Sequence, residues 1–199
     1  PKPSSAASDV YKRQIYVVGS VEYQYPNHLF QAGYFLDKKY YDENTIDFKH
    51  LLLSEKNQSL LKDIQNSNSV GVHIRRGDYM TKQNLVIFGN ICTQKYYHDA
   101  IRIITEKVND AVFYVFSDDI SWVQTHLDIP NAVYVNWNTG ESSIYDMYLM
   151  SSCKYNIIAN STFSYWAARL NKKTNMVIYP SKWYNTFTPD IFPESWCGI

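Results

Sequence analysis

The feature that most constrains the fold is a series of short apolar runs that alternate with helical stretches. Five runs have the length of a β-strand: residues 70–74, 112–116, 132–135, 156–159 and 176–179. Most of them are continuously apolar, which is typical of parallel strands covered on both faces. The order of strand and helix along the chain is therefore the first guide to the architecture.

Between the runs lie stretches with helical periodicity, at residues 94–108, 118–127, 142–153 and 161–171. In the first of these, Tyr97, Ile101, Ile104 and Val108 share one apolar stripe. Residues 77–93 are predicted to be a long loop of functional length. Strands that alternate with helices predict an α/β fold with a Rossmann-like, doubly wound, mostly parallel sheet.

Composition excludes several classes of function. The 19 basic and 19 acidic residues give a net charge of zero, and no polybasic stripe is present, so a nucleic-acid partner is not expected. Hydrophobic residues make up 45% of the chain, enough for a packed core. No apolar run is long enough for a membrane span, and the three cysteines lack metal-ligand spacing. These features favour free thiols and a cytoplasmic location.

The first polar cluster follows the run at residues 70–74. His73 and Arg75 lie on one face of the strand, and a guanidinium at a strand end is suited to binding phosphate oxygens. Gly77 permits a sharp turn, and Asp78 has the chemistry to orient an arginine or to act as a base. Arg76, Gly77 and Asp78 also match a cell-adhesion tripeptide. We do not favour an adhesion role, because nothing in the sequence supports secretion.

The second cluster lies where the run at residues 112–116 enters a helix. Ser117 is predicted to cap that helix, with Asp118 and Asp119 complementing its positive end. Two functional roles compete for the second carboxylate, recognition of a purine N–H edge and metal binding. An isolated pair of aspartates is a weak metal signal, so we favour structural and nucleoside-contact roles.

The third cluster, Asn160, Ser161 and Thr162, stands between a predicted strand and a predicted helix. Amide groups at a helix N-terminus, with hydroxyls beside them, form a ready site for phosphate. The same three residues match an N-glycosylation acceptor, which is accidental in a protein that is not secreted. Neither a GxGxxG motif nor a P-loop is present, and nucleotide sugars are among the diphosphate ligands that are left.

Together the clusters resemble the α-1,2-fucosyltransferase family (galactoside 2-α-L-fucosyltransferases). The resemblance lies in VGVHIRRGDYM, VFYVFSDDISWV, YDMYLMSSCKYNIIANSTFSYWAARLN, MVIYPSKWY and the terminal PESW, and it covers residues 15–199. It implies an inverting, metal-independent transferase of GT-B architecture that uses GDP-fucose as donor and a galactose-terminated oligosaccharide as acceptor. The chain would be mostly the C-terminal, nucleotide-sugar-binding half, with no cofactor. Peripheral membrane association of the full-length protein stays open.

The resemblance also assigns residues to the site. Arg75 corresponds to the arginine that binds the β-phosphate, with His73 and Arg76 supporting it. Asp118 or Asp119, next to Ser117, would lie near the guanosine. Ser161, Thr162 and Phe163, after Asn160, match the start of the phosphate-binding helix. We expect the catalytic group to comprise Asp78 as the general base, Arg75 and His73.

The expected organisation has three parts. Residues 1–14 are interpreted as a foreign leader, residues 15–66 as the remnant of an interdomain or acceptor-side segment, and residues 67–199 as the GDP-fucose-binding domain. On this interpretation the chain alone transfers fucose poorly or not at all. Two alternatives stay open: another GDP-fucose transferase with an HxRRGD segment, and a non-catalytic nucleotide- or glycan-binding fragment.

Overall fold

The computed structural model describes residues 20–25, 28–33 and 47–199. The chain divides into two compact units. One contains the antiparallel strands β1 (Ser20–Tyr25) and β2 (His28–Gly33), in which Ser20 pairs with Gly33, together with residues 189–191. The leader predicted at residues 1–14 lies outside the described residues.

The second unit, Asp47–Thr188 with Phe192–Ile199, holds a parallel six-stranded sheet in the order β5-β4-β3-β6-β7-β8. Counted from β3, this is the 3-2-1-4-5-6 order of doubly wound nucleotide-binding sheets. The predicted α/β fold with a mostly parallel sheet is confirmed. The strands are β3 (Asn68–Ile74), β4 (Ala111–Ser117), β5 (Ala132–Val135), β6 (Tyr155–Ile157), β7 (Met176–Tyr179) and β8 (Cys197–Gly198).

Six α-helices accompany the sheet within residues 47–199: α1 (Glu55–Asn66), α2 (Lys82–Phe88), α3 (Gln94–Thr105), α4 (Ile120–His126), α5 (Ser143–Ser151) and α6 (Thr162–Arg169). The prediction of a long loop at residues 77–93 is wrong in part. That segment contains a 3₁₀ turn, Gly77–Met80, and the helix α2. Thr81 caps α2 by accepting a hydrogen bond from the backbone N–H of Asn84 at 3.3 Å.

Both faces of the sheet are covered, as continuous apolar strands require. In β4, Phe113 and Val115 pack with α3 in one buried cluster, whereas Tyr114 and Phe116 pack with α1, α5 and α6 in another. The predicted apolar residues are all buried: Tyr97, Ile101 and Ile104 lie in α3, and Val108 lies three residues after the helix ends.

Helix α1 belongs to the unit that holds the sheet, although it precedes residue 67. Its Leu60 and Ile64 are buried in the same cluster as Leu149 of α5. The functional division at residue 67 stays a prediction, while the compact unit begins at Asp47.

Candidate functional site

The three polar clusters follow three neighbouring strands of the sheet, β4, β3 and β6. The HIRRGDY segment leaves β3, the SDD segment leaves β4, and the NSTF segment leaves β6. Both β4 and β6 pair in parallel with β3, so their carboxyl ends lie on the same edge. The direction of the chain crossovers reverses between β3 and β6, which is where open α/β sheets bind their ligands.

Arg75 lies at the centre of this edge. Its guanidinium donates to Asp118 Oδ2 through Nη1 and to Asp78 Oδ1 through Nη2, both at 2.6 Å. Asp118 Oδ1 also accepts from the backbone N–H of Arg76 at 2.9 Å. The sequence-based prediction that Asp78 orients an arginine agrees with this contact.

Gly77 makes the approach of Asp118 possible. A Cβ atom at Gly77 would contact Oδ2 of Asp118 at a distance that real Cβ atoms do not adopt, and would lie 3.1 Å from its Cγ. A glycine is therefore required here for space, since its φ angle is not in the left-handed region.

The side chain of Arg76 contacts α4 and the residue that caps it. Its Nε donates to Asp119 Oδ2 at 3.2 Å, and the guanidinium lies 3.6 Å from the ring centroid of Trp122. Asp119 is also the cap of α4, because its Oδ1 accepts from the backbone N–H of Trp122 at 3.1 Å. In this structure, Arg76 and Asp119 tie the β4–α4 turn to the end of β3.

The prediction that Ser117 caps α4 is wrong. The helix begins at Ile120, and the Ser117 hydroxyl instead accepts from the backbone N–H of Asp119 at 3.0 Å. A side chain three residues before the first helical residue cannot reach the N–H groups of the first turn, so the cap falls to Asp119. Ser117 thus shapes the turn in which Asp118 and Asp119 lie.

Asn160 is a buried link between segments. It is 2% exposed, and its side-chain amide donates to the carbonyl oxygens of Trp183 at 3.0 Å and Phe88 at 3.3 Å. Its Oδ1 accepts from the Cys92 thiol at 3.4 Å, and its carbonyl accepts from the Tyr79 hydroxyl at 2.9 Å. These contacts hold the end of α2 and the loop after β3 against the start of α6.

Ser161 and Thr162 stand at the start of α6. Ser161 has the N-cap position but makes no side-chain capping hydrogen bond, and it is buried. Phe163, in the first turn, places its ring 5.1 Å from that of His73, centroid to centroid. This ring contact joins the third cluster to the first.

His73 is buried, and its Nδ1 has no hydrogen-bond partner among the described residues. Burial and, secondarily, the charge of Arg75 lower the pKa of His73 to about 3. The imidazole is therefore neutral at physiological pH. A neutral His73 offers one N–H donor and one acceptor nitrogen, but it contributes no positive charge to an anion site.

One buried carboxyl group was missed by the sequence reasoning. Asp146 of α5 is 9% exposed and accepts from Asn138 Nδ2 at 2.7 Å. Asn138 and Trp137 in turn donate to Oδ1 of Asn57 in α1. Burial raises the pKa of Asp146 to about 7, against the opposing effect of the Asn138 hydrogen bond. The one available signal in the sequence was a lone acidic residue within the otherwise apolar helical segment YDMYLM, with no basic residue beside it.

Within the described residues, no group of three or more His, Cys, Asp or Glu side chains is arranged to hold a metal ion. Metal independence stays a prediction. Among the same residues, no helix combines the length and apolar character needed to cross a bilayer.

The chain belongs to glycosyl transferase family 11, whose model matches residues 19–199, and this confirms the family expected from its motifs. It is 35% identical over 196 residues to an alpha-1,2-colitosyltransferase of Escherichia coli, covering 91% of this chain and 63% of that protein. It is 28% identical over 163 residues to galactoside alpha-(1,2)-fucosyltransferase 2 of Pongo pygmaeus, covering 75% and 48%.

The chain therefore spans about half to two thirds of the length of these relatives. Among solved structures it is similar to the alpha-1,6-fucosyltransferase NodZ soaked with GDP-fucose. That match has a TM-score of 0.42 and 19% identity, covering 62% of this chain and 44% of the other.

Proposed function

We propose that this chain forms the nucleotide-sugar-binding part, in a GT-B architecture, of an inverting α-1,2-fucosyltransferase. The enzyme would transfer L-fucose from GDP-fucose to the 2-hydroxyl of a terminal β-galactoside. The observation that carries the proposal is the position of Arg75. Its guanidinium lies at the carboxyl end of β3, at the switch point of the sheet, between turns that follow β4 and β6.

The chemistry of the reaction accounts for that position. When the bond to the donor sugar breaks, negative charge develops on the diphosphate leaving group, and fixed donors stabilise it. Arg75 supplies a planar fork of N–H donors suited to phosphate oxygens. The backbone N–H groups at the start of α6, where Ser161 makes no side-chain cap, supply further donors. These groups would replace a metal ion.

The supporting residues have distinct roles in the proposal. His73, neutral and buried, packs its ring against Phe163 in the first turn of α6, and its Nδ1 has no hydrogen-bond partner among the described residues. Thr162 contributes a hydroxyl in the first turn of α6. Asp118 and Asp119 orient the two arginines, and one of them would lie near the guanosine. Asp78 is the candidate general base for the acceptor hydroxyl.

A second donor sugar has its own support. The relative that is 35% identical over 196 residues is an alpha-1,2-colitosyltransferase, so colitose is the alternative to fucose at the same site. Both alternatives share the α-1,2 linkage and the phosphate-binding residues. Two alternatives also stay open: another GDP-fucose transferase with an HxRRGD segment, which predicts a different acceptor, and a binding fragment without catalysis, which predicts nucleotide binding without turnover.

Product analysis tests the proposal. The chain, and a longer form of the protein that includes any further coding sequence adjoining it, are incubated with GDP-fucose and lactose, and the linkage and anomeric configuration of the product are determined by NMR. We expect an α-1,2-linked product from the longer form, weak or no transfer from this chain alone, and no transfer when either carries Arg75→Ala. A different linkage, or transfer that survives Arg75→Ala unchanged, would refute the proposed function.

A further inference from the structure

The two carboxylates that flank Arg75 are held in different ways. Asp118 accepts from Nη1 of Arg75 at 2.6 Å and from the backbone N–H of Arg76 at 2.9 Å, and its side chain is 27% exposed. Asp78 accepts only from Nη2 of Arg75 among the contacts within residues 47–199, and its side chain is 55% exposed. The first is anchored at both oxygens, whereas the second is held at one.

The local charge opposes the binding of an anion in this state. Arg75 and Arg76 are paired with Asp78, Asp118 and Asp119, so the cluster carries a formal charge of minus one. Two of the five N–H donors of Arg75 are already used by carboxylates. Three N–H donors of Arg75 remain, but a phosphate group that approaches them meets the negative charge of the two resident carboxylates.

Asp78 is the carboxylate that can leave at low cost. Its ion pair with Arg75 is exposed, and exposed ion pairs contribute little stability. The backbone carbonyl of Asp78 accepts from Thr81 N at 3.2 Å and from Asn84 Nδ2 at 2.9 Å, which holds the backbone while the side chain can rotate. Asp118 has no comparable freedom, since leaving would break two bonds and free the backbone N–H of Arg76.

We propose that Asp78 is a displaceable counter-ion, which occupies Arg75 in the free protein and gives way to the diphosphate of the nucleotide. Asp118 is then the fixed positioning residue that keeps the guanidinium aimed at the sheet edge. This inference rests on the proposed function and adds a regulation of the same site. It also means that the Asp78 carboxylate is released from its ion pair only when the donor is bound, which is when a base for the acceptor is useful.

The test is isothermal titration of GDP into the wild-type chain and three variants at low ionic strength. Asp78→Asn removes the competing charge, so we expect a Kd roughly two- to tenfold lower than that of the wild type. Asp78→Glu keeps the charge and is the matched control, expected within about twofold of the wild type on the same reasoning. Asp118→Asn loses the orientation of Arg75, and we expect binding roughly fivefold weaker.

The outcomes separate this inference from the proposed function. If the wild type binds GDP and Asp78→Asn binds it equally or more weakly, the counter-ion role is overturned and the proposed function stands. If Asp118→Asn tightens binding as much as Asp78→Asn, the effect is general charge removal and the distinction fails. If no form binds GDP, both fail. Should Asp118→Asn not fold, as judged by its melting curve, the contrast between Asp78→Asn and Asp78→Glu decides alone.

Discussion

Replacing Asp146 by asparagine should stabilise the protein at alkaline pH and have little effect at acidic pH. The carboxyl group is nearly buried, and no ion pair to it is found within residues 47–199. The amine of Lys56, the residue before Asn57, lies over the ring of Trp137 at 3.7 Å. The Asn138 hydrogen bond is the only contact that stabilises the Asp146 carboxylate among the described residues. That bond compensates poorly for the loss of hydration when the charged group is buried.

The magnitude follows from the pKa. Burial raises the pKa of Asp146 from 3.8 to about 7. At 1.36 kcal/mol per pKa unit, the charged form costs the folded state roughly 4 kcal/mol at pH 8, an upper bound because local relaxation lowers it. The folded state binds the proton more tightly than the unfolded state, so stability is highest below pH 4. The free energy of unfolding falls as the pH rises from 4 to 7. Above pH 7, the contribution of Asp146 to it no longer changes.

Urea unfolding of the wild type and Asp146→Asn at pH 4 and pH 8 measures the effect. We expect the variant to gain about 2–4 kcal/mol relative to the wild type at pH 8 and less than about 1 kcal/mol at pH 4. Asp63→Asn, which changes an exposed carboxylate of α1, is the control and should show no such pH dependence. An equal difference at both pH values for Asp146→Asn would refute the reasoning.

Two further substitutions test the packing around the site. Gly77→Ala should displace Asp118 from Arg75, because the Cβ of the alanine would occupy the space of the Asp118 carboxylate. We expect the fold to lose about 1–3 kcal/mol of stability and GDP binding to weaken. Unchanged binding and stability would contradict the close contact between residue 77 and Asp118. Asn160→Ala should cost about 2–4 kcal/mol in urea unfolding, since the carbonyls of Phe88 and Trp183 lose their buried donor. A loss below about 1 kcal/mol would show that these hydrogen bonds matter little.

The fold was predictable because its signals are local. Continuous apolar runs identified five of the strands in the sheet, and the bounds of β5 and β7 agree with the structure. Strand β8 was missed because Cys197 and Gly198 are too few to form an apolar run. Helix α2 was missed because it has only seven residues and buries none of them, so periodicity has little to detect.

The convergence of the three polar clusters was predictable, but the side-chain contacts among them were not. Strand order brings the three clusters to one edge, as expected from a parallel sheet. Which carboxylate meets which arginine depends on side-chain geometry across β3 and β4, and residues 42 or 43 positions apart carry no sequence signal of that pairing. The burial of Asn160 and the raised pKa of Asp146 likewise arise from tertiary packing.

The central claim is that Arg75 and its neighbours bind a guanosine diphosphate without a metal ion. Isothermal titration of the wild-type chain and Arg75→Ala with GDP and UDP, each with and without EDTA, tests it most directly. We predict binding of GDP that exceeds binding of UDP, is unchanged by EDTA, and is lost or weakened at least about tenfold in Arg75→Ala. Binding that requires a divalent cation, or that persists unchanged in Arg75→Ala, would contradict the account.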